Sequence, residues 1–388
     1  MGVEERRARL VRRHHLGAGD RAPDVTTAAG DLVGLHASDP VTPYLAAAAR
    51  VDGLRVADVE QALYEERSAL RMLGMRRTMF VVPIDLAPVV HAACTRAIAV
   101  TERKRLVKLV ADGGIAEDAE RWVDEANEAT MRALATRGEA FASELSADVP
   151  ALRARIRIAE GKAYAAESNL TTFVLFRLAA DGRIVRGRPR GTWISSQHRW
   201  APAEAWFPDG MPELPTEEAR VELVRRWLRT YGPATEADVK WWTGWNLRDT
   251  RAALAGLATE EVDLEGAPGV VLADDVEPEP PVEPTAVLLP ALDPTVMGWT
   301  ERDWYLGAHR DRLFDRNGNA GPTVWWDGRV VGGWAVRPDA TVAFELLERV
   351  GRQARAAVED AAGRLEAWLD GTRFTARFRT PLERELSA

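Results

Sequence analysis

The segment Leu35-His36-Ala37-Ser38-Asp39-Pro40 crowds an imidazole, a hydroxyl and a carboxylate together, just ahead of a stretch with helical apolar spacing. Imidazole takes a proton near neutral pH, a hydroxyl positions water, and a carboxylate offers charge to a developing cation. Beside a nucleic acid, His36, Ser38 and Asp39 are therefore candidates to orient or activate a water. Two of them also have a plainer reading. Asp followed by Pro is a strong helix N-cap signal, because the Asp accepts a free N–H and Pro lacks one where none is needed. His36 taken alone reads equally well as a partly buried structural histidine.

Other catalytic devices are missing from the sequence. It contains no glycine-rich phosphate loop, no His-x-x-x-His zinc pair and no Gly-x-Ser-x-Gly elbow. The single Cys94 excludes an internal disulfide framework and a cysteine-rich zinc site, and the six histidines are scattered apart from His14 and His15. No cofactor and no metal are expected.

A second cluster carries charge rather than chemistry. Residues 151–200 hold ten basic side chains (Arg153, Arg155, Arg157, Lys162, Arg177, Arg183, Arg186, Arg188, Arg190, Arg199) against Glu160, Glu167 and Asp181, a net of +7 in a chain whose total is −8. A basic segment inside an acidic protein suits one surface that meets phosphate while the others stay solvated. Arg183, Arg186, Arg188 and Arg190 fall in IVRGRPRGTWISS and its flank, where Gly, Pro and Arg suit a hairpin tip. Arg199 belongs to the same surface. Trp193 and Trp200, two of fourteen tryptophans, lie among these arginines, and for Trp193 base stacking and core packing are both open.

The elements that must position these residues fall into five stretches of the 388-residue chain. Residues 1–85 predict helices over 4–15 and 57–74, a helix from Pro40 through Arg50, and a strand over 78–82. Residues 86–210 predict a long helical preface through Lys108 and over 117–137, short helices over 140–145 and 169–180, and the basic hairpin. Residues 211–275 predict a helix over 216–231, then a capping-box start at Thr235 and Asp238, a helix capped by Asn246, and strands around Gly266 and Gly269. Trp241, Trp242 and Trp245 read there as core. Residues 276–284 form an acidic, proline-rich linker that buries too little apolar surface to fold. Residues 285–388 predict strands over 286–290, 323–326, 330–334 and 340–346, a helix over 353–369 and a last strand over 373–379. The fold class is α+β: three tandem winged-helix units followed by a small C-terminal β-barrel. No run of eighteen apolar residues suggests a membrane span, and the start MGVEERRARLVRRHH is unlike a signal peptide, so a cytoplasmic, nucleoid-associated location is expected.

The segments VGLHASDPVTPYLAAAAR, RMLGMRRTMFVVP, LLPALDPTVMGWTERD and DRNGNAGPTVWWDGRVVGGW carry a family likeness. The chain resembles the winged-helix DNA-binding-domain family containing the AlkZ-type alkylpurine DNA glycosylases, which protect antibiotic-producing bacteria from their own DNA-alkylating products. The likeness runs over nearly the whole chain. It implies a C-shaped cradle, double-stranded, alkylated DNA as partner, and Arg316, Asn317 and Asn319 as further DNA contacts. The family's Gln-x-Gln or Gln-x-Asp motif falls on His36, Ala37 and Ser38, so both polar positions are replaced here. The activity that the resemblance implies is that of a monofunctional glycosylase of N3- or N7-alkylated purines, leaving an abasic site. A DNA-binding module that has lost the catalytic pair is the alternative. Three DNA-binding units in one chain remove the usual need to dimerise, so a monomer is expected.

Affinity for duplex DNA should fall steeply with salt between roughly 50 and 200 mM, because arginines at a hairpin tip meet phosphates and release counterions. A flat response in a binding titration would contradict the phosphate-contacting surface.

Overall fold

The computed structural model describes residues 1–158 and 166–388. Leu10 and Val11 turn one side of α1 (Val3–Arg13) into the core, yet the helix also buries Arg9, which donates to the carbonyls of Asp275 and Glu277 at 3.2 and 2.7 Å. Arg12 and Arg13 hold Glu279 at 2.7 and 2.9 Å. The acidic segment 276–284 has neither helix nor strand and is fastened along α1. Next come α2 (Val25–Asp31), capped by the Asp24 carboxylate, β1 (Leu35–His36), α3 (Thr42–Ala48), and α4 (Val56–Glu60) with a π turn to Glu65. The hairpin β2 (Ala69–Leu73) and β3 (Met79–Pro83) completes a sheet of order β1-β3-β2.

Two sequence expectations fail in this stretch. The helix expected over 57–74 stops at Glu65, and Arg67 has a positive φ of 56° that turns the chain into β2. All of Ala69–Leu73 is buried, so β2 lacks the alternation that marks a half-exposed strand, and its run of apolar residues imitates a helix. The helix expected from Pro40 begins at Thr42, because the Asp39 carboxylate holds a turn ahead of it.

The second stretch begins with α5 (Ala87–Val90), which passes through a π turn into α6 (Arg96–Asp112), then α7 (Ala119–Arg137) and α8 (Ala142–Asp148). An antiparallel strand pair not foreseen from sequence, β4 (Arg155–Ile158) with β5 (Ala166–Asn169), precedes α9 (Thr171–Ala180). The basic hairpin is β6 (Ile184–Pro189) with β7 (His198–Pro202). Leu106, Val123, Leu134, Leu145 and Leu178 form a core of their own. The third stretch matches its local signals closely: α10 (Thr216–Tyr231), α11 (Glu236–Thr243), α12 (Leu247–Ala255), and the hairpin β8 (Thr259–Asp263) with β9 (Pro268–Leu272). The Thr235 and Asp238 capping box is formed in both directions, at 3.0 and 3.1 Å.

One pairing pattern recurs in all three stretches. A short segment just ahead of the last two helices of each stretch pairs with the second strand of the hairpin that closes it: β1 with β3, Ala140 with Trp200 in β7, and Ala234 with Val270 in β9. The order helix, pairing segment, helix, helix, hairpin thus recurs three times, with the β4 and β5 pair inserted between the two helices in the second stretch.

The C-terminal part contains β10 (Ala286–Leu289), α13 (Asp303–Leu306), α14 (Arg310–Leu313), β11 (Thr323–Trp326), β12 (Arg329–Val336), β13 (Val342–Leu346), α15 (Arg352–Leu369) and α16 (Pro381–Leu386). Its sheet, β10-β11-β12-β13, is an open antiparallel meander with β10 and β13 at the edges, so the expected β-barrel is not closed. α15 packs on β10 and β13, and α16 on β12, which buries apolar surface that closure would otherwise have to cover. Residues 373–379, expected as a strand, have no regular structure and lead into α16.

A fully buried ion pair ties the first stretch to the last. Arg50 and Asp293 are each 0% exposed, with two N–H···O contacts of 2.7 and 2.9 Å, and Arg50 also donates to the carbonyls of His14 and Ala46 and to Thr295 Oγ1. Truncating one partner strands a buried charge, so Asp293→Ala should cost about 3–5 kcal/mol in urea unfolding. A loss under about 1 kcal/mol, the range of an exposed pair, would show that this is not a fastening point.

Candidate active site

Between its pairing segment and the helix that follows, the first repeat differs from the other two. α8 opens at Ala142, two residues after the Ala140 bridge, and α11 opens at Glu236, two residues after Ala234. In the first repeat β1 ends at His36 and α3 opens only at Thr42, so residues 37–41 form an extra loop. Asp39 organises it. Its Oδ1 accepts the Val41 N–H at 3.3 Å, its Oδ2 accepts the Arg377 N–H at 2.7 Å, and its carbonyl accepts the Thr42 N–H at 3.3 Å. Arg377 also donates from Nη1 to the Ser38 carbonyl at 3.3 Å. Asp39 is 3% exposed, and this burial lifts its carboxyl above the usual range against the opposing pull of the Arg377 and Val41 N–H groups and the Arg377 and Arg71 charges.

His36 does not suit the role of proton acceptor that its residue type suggests. It is 4% exposed beneath the loop, its ring 5.2 Å from that of Phe80, and burial with the nearby Arg76 charge pushes it down to about 3. It is neutral at pH 7, as a base must be, but a base this weak gains little by taking a proton from water. Its Nδ1 instead accepts the Ser38 N–H at 3.4 Å, which makes it a positioning residue for the loop. Ser38 is half-buried, and its Oγ accepts the Met79 N–H at 3.3 Å.

The basic hairpin lies against the first repeat, with β6 packed on β2. That packing sets the partners of Arg188, while contacts within the second stretch hold Arg183, Arg190 and Arg199. Arg188 is neutralised by Glu60, at 3.0 Å, and by Glu65, and Arg183 is paired with Glu128 at 2.9 Å. Neither presents a free charge to DNA. Arg190 and Arg199 both stack on Phe141, at 4.1 and 4.5 Å from its ring centre, and neither has a carboxylate partner among the described residues. Trp193 is 7% exposed, with its ring 5.1 Å from Tyr44 and 5.8 Å from Trp368, so it is core and not a base-stacking side chain. Arg186, half-buried over Trp200 at 5.4 Å, shares a narrow crevice with Arg71. Lys162, counted in the basic segment, lies outside the described residues.

Arg316 and Asn317 are exposed at the turn before β11. Asn319 is not free in the same way, since its side chain donates to Asp315 at 2.8 Å. Gly321, just beyond, packs so closely on Thr380 that a side chain would not fit, which sets this turn beside the segment holding Arg377. Among the described residues, no group of three or more His, Cys, Asp or Glu side chains is arranged to hold a metal. No helix among them is long and apolar enough to cross a membrane.

Three residues of this neighbourhood are not among the sequence candidates. Arg71 interrupts the apolar run Ala-Leu-Arg-Met-Leu, and a charge in such a run is a signal that could have found it. His198, pushed down to about 3 by burial and by the Arg71 and Arg186 charges, leaves no local sign. Arg377 lies 338 residues from the carboxylate it binds.

A fold of three such repeats, with a carboxylate-bearing loop inserted in one and arginines around it, suits an enzyme or binding protein of DNA. The family description DNA glycosylase AlkZ-like matches residues 29–368, and the chain belongs to that family. Among solved structures, the Streptomyces sahachiroi DNA glycosylase AlkZ is similar in fold, with a TM-score of 0.71 over 94% of this chain and 97% of its own at 22% identity. No curated protein matches the chain.

The buried histidines give stability a pH signature. Unfolded, a histidine binds a proton near pH 6.5, whereas folded His36 and His198 resist until about pH 3. The stabilisation is complete above pH 6.5 and is lost as pH falls toward 3, by about 2 kcal/mol per histidine at pH 5. His36→Gln should shrink the difference between urea unfolding at pH 7 and pH 5 by about that amount. An unchanged difference would mean that folded His36 takes up its proton at an ordinary pH.

Proposed function

We propose that this protein is a DNA-repair glycosylase that excises N3- or N7-alkylated purines, bulky adducts included, and leaves an abasic site. Its three repeats act as winged helices on one duplex, together forming a C-shaped monomer. The observation that carries the reading is the inserted loop in which two backbone N–H groups aim the Asp39 carboxylate beside arginines that lack a carboxylate partner. Family membership supports the same reading.

An alkylated purine already carries positive charge, so its glycosidic bond is weak and no strong acid is required. As the bond from C1′ to the base nitrogen breaks, its electron pair passes to the purine and neutralises it. The sugar becomes an oxocarbenium-like cation. Asp39 offers the opposite charge across a short, nearly dry distance, where such an interaction is strong. Ser38 Oγ positions the attacking water, whose oxygen bonds to C1′ while its proton passes to the Asp39 carboxylate. His36 holds the Ser38 backbone from beneath. The raised affinity of Asp39 for a proton makes it a better acceptor than an ordinary surface carboxylate.

The low exposure of Asp39 and His36 favours one rival, a DNA-binding protein without excision chemistry. Duplexes carrying N7-methylguanine or a bulkier N7 adduct, incubated with protein and then treated with alkali, separate the two. The enzyme should yield strand breaks, reduced about 10²–10³-fold in Asp39→Asn as for loss of a transition-state charge partner, and less in His36→Gln. Tight binding with no breaks across several adducts would leave the rival standing.

A further inference from the structure

Several buried or half-buried arginines in this protein are matched. Arg50 meets Asp293 in two contacts, Arg9 donates to two carbonyls, and Arg188 meets Glu60 and Glu65. Among the described residues, Arg71 and Arg186 lack such a match, as do Arg6 and Arg76, which lie over Trp304 and Trp241 at 4.1 and 4.0 Å, and the exposed Arg377 is a third cation without a carboxylate near the Asp39 loop. Arg71 is 2% exposed, its Nε has no hydrogen-bond partner, and its Nη2 reaches only the Pro40 carbonyl, at 3.4 Å. Arg186 lies on Trp200 in the crevice that Arg71 also lines. Arg377 is exposed, and its guanidinium touches only the Ser38 carbonyl. None of the three forms an ion pair with a carboxylate among the described residues. Arg71 at the Pro40 carbonyl and Arg377 at the Ser38 carbonyl flank the loop that holds Asp39, and Arg186 shares a crevice with Arg71; burial with the Arg71 and Arg377 charges pushes Arg186 down to about 10.

A guanidinium withdrawn from water without a counter-charge, as that of Arg71 is, is unfavourable, and with the half-buried Arg186 and the exposed Arg377 it leaves an excess of positive charge around the Asp39 loop. An anion with several acceptor oxygens removes that excess, and the planar guanidinium fork matches phosphate oxygens. We infer that Arg71, Arg186 and Arg377 form a site for one DNA backbone phosphate, the phosphodiester adjoining the nucleotide presented to Asp39. The exposed Arg377 and half-buried Arg186 donate to the phosphate, and Arg71 supplies charge from behind. The site serves registration: it fixes where C1′ stands relative to Asp39 without reading a base. The inference rests on the reading of this chain as DNA-binding, but it does not require excision.

The test is fluorescence anisotropy on duplexes containing a tetrahydrofuran abasic analogue, in a series where each phosphodiester near the analogue is replaced singly by an uncharged methylphosphonate. The wild-type protein should lose affinity several-fold at one or two adjacent positions. Arg186→Gln and Arg377→Gln should bind more weakly, with a salt slope smaller by about 1, and should be indifferent to the methylphosphonate that harms the wild type. Arg377→Gln changes an exposed side chain on an irregular segment, so it keeps the test valid should Arg186→Gln fail to fold. Variants as sensitive as the wild type to every methylphosphonate, with unchanged salt slopes, would overturn the phosphate site alone. A wild-type protein that binds none of the duplexes would overturn the DNA-binding reading as well.

Discussion

The carboxylate of Asp39 has lost nearly all contact with water, and two backbone N–H groups together with the charges of Arg71 and Arg377 stand in for the solvent. In a low-dielectric surrounding, charge is either compensated by fixed dipoles or neutralised by a proton. The compensation here comes from opposite ends of the chain: Val41 is close by in sequence, whereas Arg377 arrives on the segment leading into α16. The loop can therefore hold its geometry only when the C-terminal part has docked on the first repeat.

That docking depends on interactions that join the stretches of the chain. Arg50 and Asp293 link the end of α3 to the turn after β10. Asp238, after serving its own helix cap, accepts the N–H groups of Thr300 and Glu301 at 2.9 and 3.0 Å and so joins the third repeat to the C-terminal part. Trp193 stands between Tyr44 of the first repeat and Trp368 of α15. The Arg50 and Asp293 pair is fully buried and directional, and the Asp238 bonds and the Trp193 packing add to it, so the parts meet in one arrangement. That rigidity is what a site assembled from distant segments requires.

Local signals are legible in proportion to how local their physics is. The third repeat can be read nearly to the residue because the Thr235 and Asp238 box, the Asn246 cap and the turn glycines act over three or four positions. The β2 strand reads as helix in the sequence, since burial on all sides erases the period that separates strand from helix. Asp39 reads as a helix cap because the pairing of Asp with Pro carries that signal, and its actual partner at Arg377 has no local trace. The C-terminal strands over 323–326 and 342–346 are visible, but the difference between an open meander and a barrel lies in where α15 and α16 settle.

By itself the sequence determined the helix caps and turns that are clearest over residues 216–275, the segment bearing His36, Ser38 and Asp39, and the concentration of arginines near residue 186. Periodicity, capping and composition act through neighbours in the chain, so they survive in one dimension. Which arginines remain free was decided only by the tertiary structure: Arg183 and Arg188 are paired, while Arg186 joins Arg71 and Arg377 without a carboxylate. The same is true of His36, whose burial under the loop removed it as a base and left it as a support. Desolvation and charge pairing depend on distance in space, and no spacing along the chain reports it.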